Sequence, residues 1–148
     1  MKLTLTILII LSGFPGFFNK DFKFIEATSQ EWIGGTRDSG KGVNYKITVQ
    51  TKTNSDKLKF EEIWIKNKLC RYRMYNLSIK KFGNNFEKND TILFTATIKA
   101  DNSDSNYGKD KQLPVEYNAE TIIGYKLKNK MKYKPFDDIN LLKPLYYK

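Results

Sequence analysis

The segment VNYKITVQT, residues 43–51, does most to restrict what this chain can become. Val43, Tyr45, Ile47 and Val49 fall on one side of an extended backbone, and Asn44, Lys46, Thr48 and Gln50 on the other. Alternation of β-branched and aromatic residues with polar ones marks a half-buried strand, because successive side chains of a pleated chain leave opposite faces. The pattern returns in TILFTATIK, where Ile92, Phe94, Ala96 and Ile98 alternate with Leu93, Thr95, Thr97 and Lys99. No segment sustains a helical period. About seven to nine short strands separated by turn signals predict an all-β domain, an immunoglobulin-like β-sandwich, with a small β-barrel as the alternative. The predicted domain runs from residue 25 to residue 148, with Trp32, Tyr45, Ile47, Val49, Phe60, Trp64, Ile92, Phe94, Ile98, Ile122 and Tyr125 supplying much of its core.

Three further stretches fill in the strand pattern. In LKFEEIWI, Leu58 and Phe60 are in one phase while Ile63 and Ile65 are in the other, so a β-bulge is expected at Glu61–Glu62. KNK at 66–68 and again at 128–130 reads as a tight hairpin turn, the first leading into Cys70, Tyr72 and Met74 on one face. LPVEYNA holds Pro114, which suits an edge strand, and the tail DDINLLKPLYYK has no clear period.

The run GGTRDSGKG, residues 34–42, contains most of a phosphate-binding P-loop. A P-loop must open a helix, so that free N–H groups at the helix start face the phosphate. Here the glycines lead into the alternating segment that starts at Val43, and Gly42 stands where a magnesium-binding Ser or Thr belongs. The run is therefore read as a turn, and no nucleotide is expected as a ligand. Its exposed Arg37 and Lys41 are kept as candidate anion contacts.

Residue counts exclude several chemistries. The 148 residues contain no histidine and one cysteine, so a Ser-His or Cys-His nucleophile is impossible and no internal disulfide can form. Cys70 is expected as a small buried hydrophobe. The carboxylate pairs Glu61–Glu62 and Asp137–Asp138 are adjacent, and adjacent strand residues point to opposite faces, so neither is expected to be an acid/base dyad. A carboxylate-based hydrolase is the least supported alternative. The loop Asp104-x-Asn106-x-Gly108-x-Asp110 offers oxygen ligands around a glycine but lacks the further bidentate Glu of a calcium loop, and Lys109 and Lys111 oppose a cation. It is read as solvated, and neither metal nor cofactor is expected.

A formal net charge of +10 permits an acidic partner. Lys126, Lys128, Lys132 and Lys134 alternate along the second KNK hairpin and would form a row of positive charge on one face. Lys66, Lys68, Arg71 and Arg73 would extend it on the same sheet. Such a ribbon would suit an anionic glycan or envelope surface, although edge strands also carry lysine to block pairing with other chains.

The N-terminus reads as an address. Lys2, an apolar run from Leu3 to Leu11, and then Ser12, Gly13, Pro15 and Gly16 have the layout of a secretory signal over residues 1–18, with an uncleaved anchor as the alternative. Either would engage the membrane during export and place the folded part in the periplasm, cell envelope or medium. LSGF at 11–14 has Phe14 where a lipobox has its cysteine, so no lipoprotein is expected.

TSQEWIGGTRDSGKGVNYKITV, with FEKNDTILFTATIKA and IIGYKL, resembles a family of small secreted or envelope proteins of Bacteroidetes. Gln30, Trp32, Gly34, Gly35, Gly40, Gly42 and Tyr45 carry the likeness. The resemblance implies export and a sandwich fold and brings no activity with it. The resulting expectation is an exported, non-enzymatic binding or structural protein, the alternative being an anion- or polysaccharide-binding module that uses the lysine hairpin.

Overall fold

The computed structural model describes residues 21–101, 107–113 and 118–148. Ten strands are present: β1 (Phe22–Ile33), β2 (Lys41–Thr51), β3 (Leu58–Ile65), β4 (Lys68–Cys70), β5 (Tyr72–Asn76), β6 (Lys81–Phe82), β7 (Thr91–Lys99), β8 (Thr121–Leu127), β9 (Lys130–Phe136) and β10 (Asn140–Tyr146). They form a six-stranded sheet ordered β10-β1-β2-β7-β5-β6 and a four-stranded sheet ordered β4-β3-β8-β9. When β1, β2, β3, β5, β7, β8 and β9 are lettered A to G, the sheets contain A-B-E-D and C-F-G, the order of an immunoglobulin-like sandwich. β4, β6 and β10 are additions at sheet edges. The two sheets stay open, so the barrel alternative does not apply to the described strands.

The alternation seen in the sequence builds the core. Tyr45, Ile47 and Val49 of β2 lie opposite Ala96, Phe94 and Ile92 of β7, and all six are buried. Aromatic edges join the sheets, with Phe94 4.8 Å from Phe60 and Phe22 5.1 Å from Tyr125, both T-shaped. Such pairs add to what apolar burial already contributes. The glycine-rich run leads directly into β2, so the helix a P-loop requires does not follow it.

Three expectations need correction. Trp32 lies on the outer face of the larger sheet, opposite Gly42 and 6.5 Å from the Tyr147 ring, because Ala27 and Ser29 take the inner positions of β1. A side chain at Gly42 would meet the indole and the Ile98 carbonyl, which explains the glycine there. Trp64 and Ile122 are buried, yet they pack on the outer face of the smaller sheet and not between the sheets. Cys70, Tyr72 and Met74 all face the core but from two strands: β4 belongs to the smaller sheet, β5 to the larger, and the chain crosses at Arg71. The aperiodic tail forms β10, parallel to β1, where both faces of an edge strand stay exposed and no period is imposed. Pro114 lies outside the described residues.

Candidate functional site

The expected bulge is present: the β3–β8 register shifts between Phe60 and Glu62. Phe60 and Ile63 both face the core, and the extra residue puts Glu61 and Glu62 together opposite Gly124, on the outer face. This overturns the expectation that the two carboxylates point apart. They nonetheless serve separate contacts. Glu61 meets Lys126 at 3.7 Å. Glu62 accepts hydrogen bonds from Trp64 Nε1 at 2.8 Å and Tyr133 Oη at 3.3 Å, and meets Lys111 at 3.6 Å. Asp137 accepts the Glu120 N–H at 2.7 Å.

The lysines of the β8–β9 hairpin do not form one row. Type I′ geometry at Lys128 and Asn129 (φ 48° and 65°) pairs Lys126 with Met131 and Tyr125 with Lys132. Lys126 therefore shares the outer face with Glu61. Lys132 and Lys134 fall on the core side, at its open margin. Lys132 lies 3.9 Å from the Asp21 carboxylate, and Lys134 Nζ sits 5.0 Å from the Phe22 ring centroid. Burial, helped by nearby Lys52, lowers the Lys134 pKa, with Asp21 opposing. Lys128 is exposed at the turn. Lys66, Lys68, Arg71 and Arg73 are likewise divided between the two sheets by the crossing at Arg71. Arg37 and Lys41 are exposed, in the β1–β2 loop and at the start of β2, with Gly40 at φ +71° closing the loop.

A different set of cations converges. The β3–β4 turn, the crossing residue Arg71, the end of β7 and the segment 107–111 enclose a cavity of about 280 Å³. Its lining includes Lys68, Arg71, Lys99, Lys109 and Lys111, all exposed, and Leu69, Cys70 and Ile98, all buried or half-buried. The cations thus stand at the rim of an apolar floor. Arg71 stacks over the Tyr107 ring at 4.9 Å, which fixes both groups at the mouth. Lys111 is the one shared with Glu62. Cys70, expected as a buried hydrophobe, is buried, and its thiol reaches the Lys68 carbonyl at 3.4 Å.

Strand geometry explains the convergence. β4 spans only Lys68–Cys70 before the chain leaves for the other sheet, so the corner beside it is not filled by a strand. Segment 107–111 lies there instead, with Gly108 against the Leu69 side chain and Lys111 reaching Glu62. Beneath the corner, Tyr45 Oη lies 3.4 Å from Glu120, and burial together with that carboxylate pushes its pKa up to about 12. Tyr72 donates to the Phe60 carbonyl at 2.9 Å, and burial raises it to about 12 as well, Glu61 adding to the effect. The sequence reading missed Tyr107, Lys99, Lys109 and Lys111 as one group. The one local signal is the alternation of Lys109 and Lys111, and it does not point to Lys99 or Tyr107.

Asp104 and Asn106 of the calcium-like loop lie outside the described residues, and among the described residues no group of acidic, cysteine or histidine side chains has metal-site geometry. No helix among them is long and apolar enough to cross a membrane. No family model, curated protein sequence or solved structure matches the chain.

Proposed function

We propose that this chain is an exported, non-enzymatic binding module whose basic cavity takes the charged groups of an anionic polysaccharide. The observation that carries the reading is the cavity beside β4: five cations around an apolar floor, with Arg71 over the Tyr107 ring. An acidic sugar has matching parts, a carboxylate or sulfate for the rim and a ring face for Tyr107 and Leu69. Arginine offers a planar fork for such an anion, and lysines add charge without demanding geometry. Export rests on the N-terminal signal pattern. A binding role is favoured over hydrolysis because Glu61, Glu62 and Asp137 are each engaged by a neighbouring cation, hydroxyl, indole or backbone N–H.

The cavity replaces the β8–β9 hairpin as the proposed anion site. On that hairpin Lys126 and Lys132 each face a carboxylate, whereas four of the five cavity cations meet no carboxylate within ion-pair distance among the described residues. Affinity for a linear polyuronate, measured by calorimetry at low and high salt, tests the reading. Binding that weakens steeply with salt is expected, since each displaced counterion adds to the dependence. Binding that is absent at low salt, or unchanged by salt, contradicts it.

A further inference from the structure

Strand β10 is exposed along its whole length, although three of its seven residues are leucine and one is tyrosine. Leu141 is 76% exposed and Tyr146 72%, values that no ordinary packing role requires. Register explains how the strand presents them. Leu142 and Leu145 pair with Gln30 and Trp32 on the outer side of the sheet, while Leu141 and Tyr146 pair with Ser29 and Ile33 on the inner side. As an edge strand, β10 projects both rows into solvent. Tyr147, 54% exposed, and half-buried Trp32 continue the surface at one end. The two rows lie on opposite faces and meet only along the free edge of β10, and large apolar side chains left exposed in this number mark an interaction site.

Its surroundings select the occupant. Lys143 stands in mid-strand. Lys41 pairs with Ile33, and Lys148 follows Tyr147. The β1–β2 loop, which carries Arg37, lies against the backbone of Tyr147 and Lys148 at Gly35. Glu31 and Asp38 are the acidic neighbours at the Trp32–Tyr147 end of the strand, where the cations outnumber them; Asp137 and Asp138 precede its other end. Pairing with a strand of a second copy is disfavoured, because Pro144 offers no N–H and Lys143 repels its own symmetry mate. Leucine, tyrosine and tryptophan ringed by lysine and arginine instead match the boundary of a lipid bilayer, where aromatic rings settle at headgroup depth and basic side chains reach lipid phosphates. Water at that depth still satisfies the outward backbone groups of an edge strand.

We infer that β10 and the Trp32–Tyr147 corner form a contact surface for an anionic lipid bilayer, separate from the cavity. The test uses the full chain with vesicles of phosphatidylcholine and phosphatidylglycerol bearing brominated acyl chains. Trp32 should be quenched, while Trp64, buried on the other sheet, should not, so the quenched emission disappears in Trp32→Phe. An apolar N-terminal segment alone would carry the chain to vesicles without bringing Trp32 near the bromines. Leu141→Ser with Tyr146→Ser should lower the quenching-detected affinity about tenfold or more, by the cost of exposing two large apolar groups. Both side chains are exposed, so folding should be unchanged. Arg37→Gln, Lys143→Gln and Lys148→Gln together should remove the preference for anionic over neutral vesicles. Unquenched Trp32 in vesicle-bound protein overturns the inference. So does a dimer by sedimentation that the double serine variant abolishes.

Discussion

The hairpins β3–β4 and β8–β9 are near copies in sequence, WIKNKL and KLKNKM, and both turn through Lys-Asn with positive φ at each residue. Their lysines meet different fates. β9 continues for seven residues across the open margin of the core, and its lysines are drawn to Asp21 and Phe22. β4 stops after three residues, the chain changes sheets, and Lys68 is left beside Arg71, Lys99 and Lys109 around a cavity. The same polar turn therefore yields a margin seal in one place and a candidate site in the other. What distinguishes them is the length of the returning strand, which decides whether a corner is filled.

The largest expected effect lies on the β3–β4 side. Trp64 pairs with Leu69 across that hairpin and is 2% exposed on the outer face. Trp64→Ala should cost about 3–5 kcal/mol in urea denaturation, as for a core aromatic, because a cavity is left behind and Glu62 loses its indole donor. Met131→Ala, at a half-buried outer position of the β8–β9 hairpin, should cost only about 1 kcal/mol. Equal costs would show that the outer surface near β4 is not a second small core.

Alkaline titration should probe the core beside the β4 corner next. Tyr45 and Tyr72, near the β4 corner, have pKa values raised to about 12 against an ordinary value of 10.0. Unfolded tyrosine ionises first, so the stability these residues contribute is complete below pH 10 and is lost as pH rises toward 12. Chemical denaturation across that window should show the loss, and Tyr45→Phe with Tyr72→Phe should reduce it.

The turns themselves should behave alike. Replacing Lys66–Asn67 by Asn-Gly, and separately Lys128–Asn129 by Asn-Gly, should each stabilise by about 0.5–1 kcal/mol, because a left-handed conformation strains lysine and suits glycine. Thermal melts giving a gain at one turn only would break the equivalence. The smallest effect is expected at Lys134. Its pKa is lowered, so the folded state favours the neutral form, and Lys134→Met should raise the melting temperature slightly at pH 7. That gain should vanish as pH rises and the native lysine itself loses its proton.

Much of this architecture was legible in the chain because strands write themselves in period two. β2 and β7 are central strands with one face on the core, and their alternation predicted which of their residues are buried there. The phase change between Phe60 and Ile63 announced the bulge. Failures arose where a residue's face depends on something other than its own strand. Trp32 looks like a core anchor until Ala27 and Ser29 are seen to hold the inner row. Cys70 to Met74 keeps one phase although Arg71 carries the chain between sheets. Above all, the cavity joins residues 68–71, 99 and 107–111, and no local pattern relates a three-residue strand to a loop that fills the space beside it.

Affinity for a polyuronate in two charge-matched triple variants tests the account most directly. One is Lys68→Gln, Arg71→Gln and Lys109→Gln at the cavity; the other is Lys126→Gln, Lys128→Gln and Lys130→Gln on the β8–β9 hairpin. Both remove the same charge, so non-specific attraction falls equally. The account predicts more than about tenfold weaker binding for the first, roughly 1 kcal/mol or less for the second, given the small worth of exposed ion pairs. Equal losses, or a greater loss from the hairpin, would contradict it.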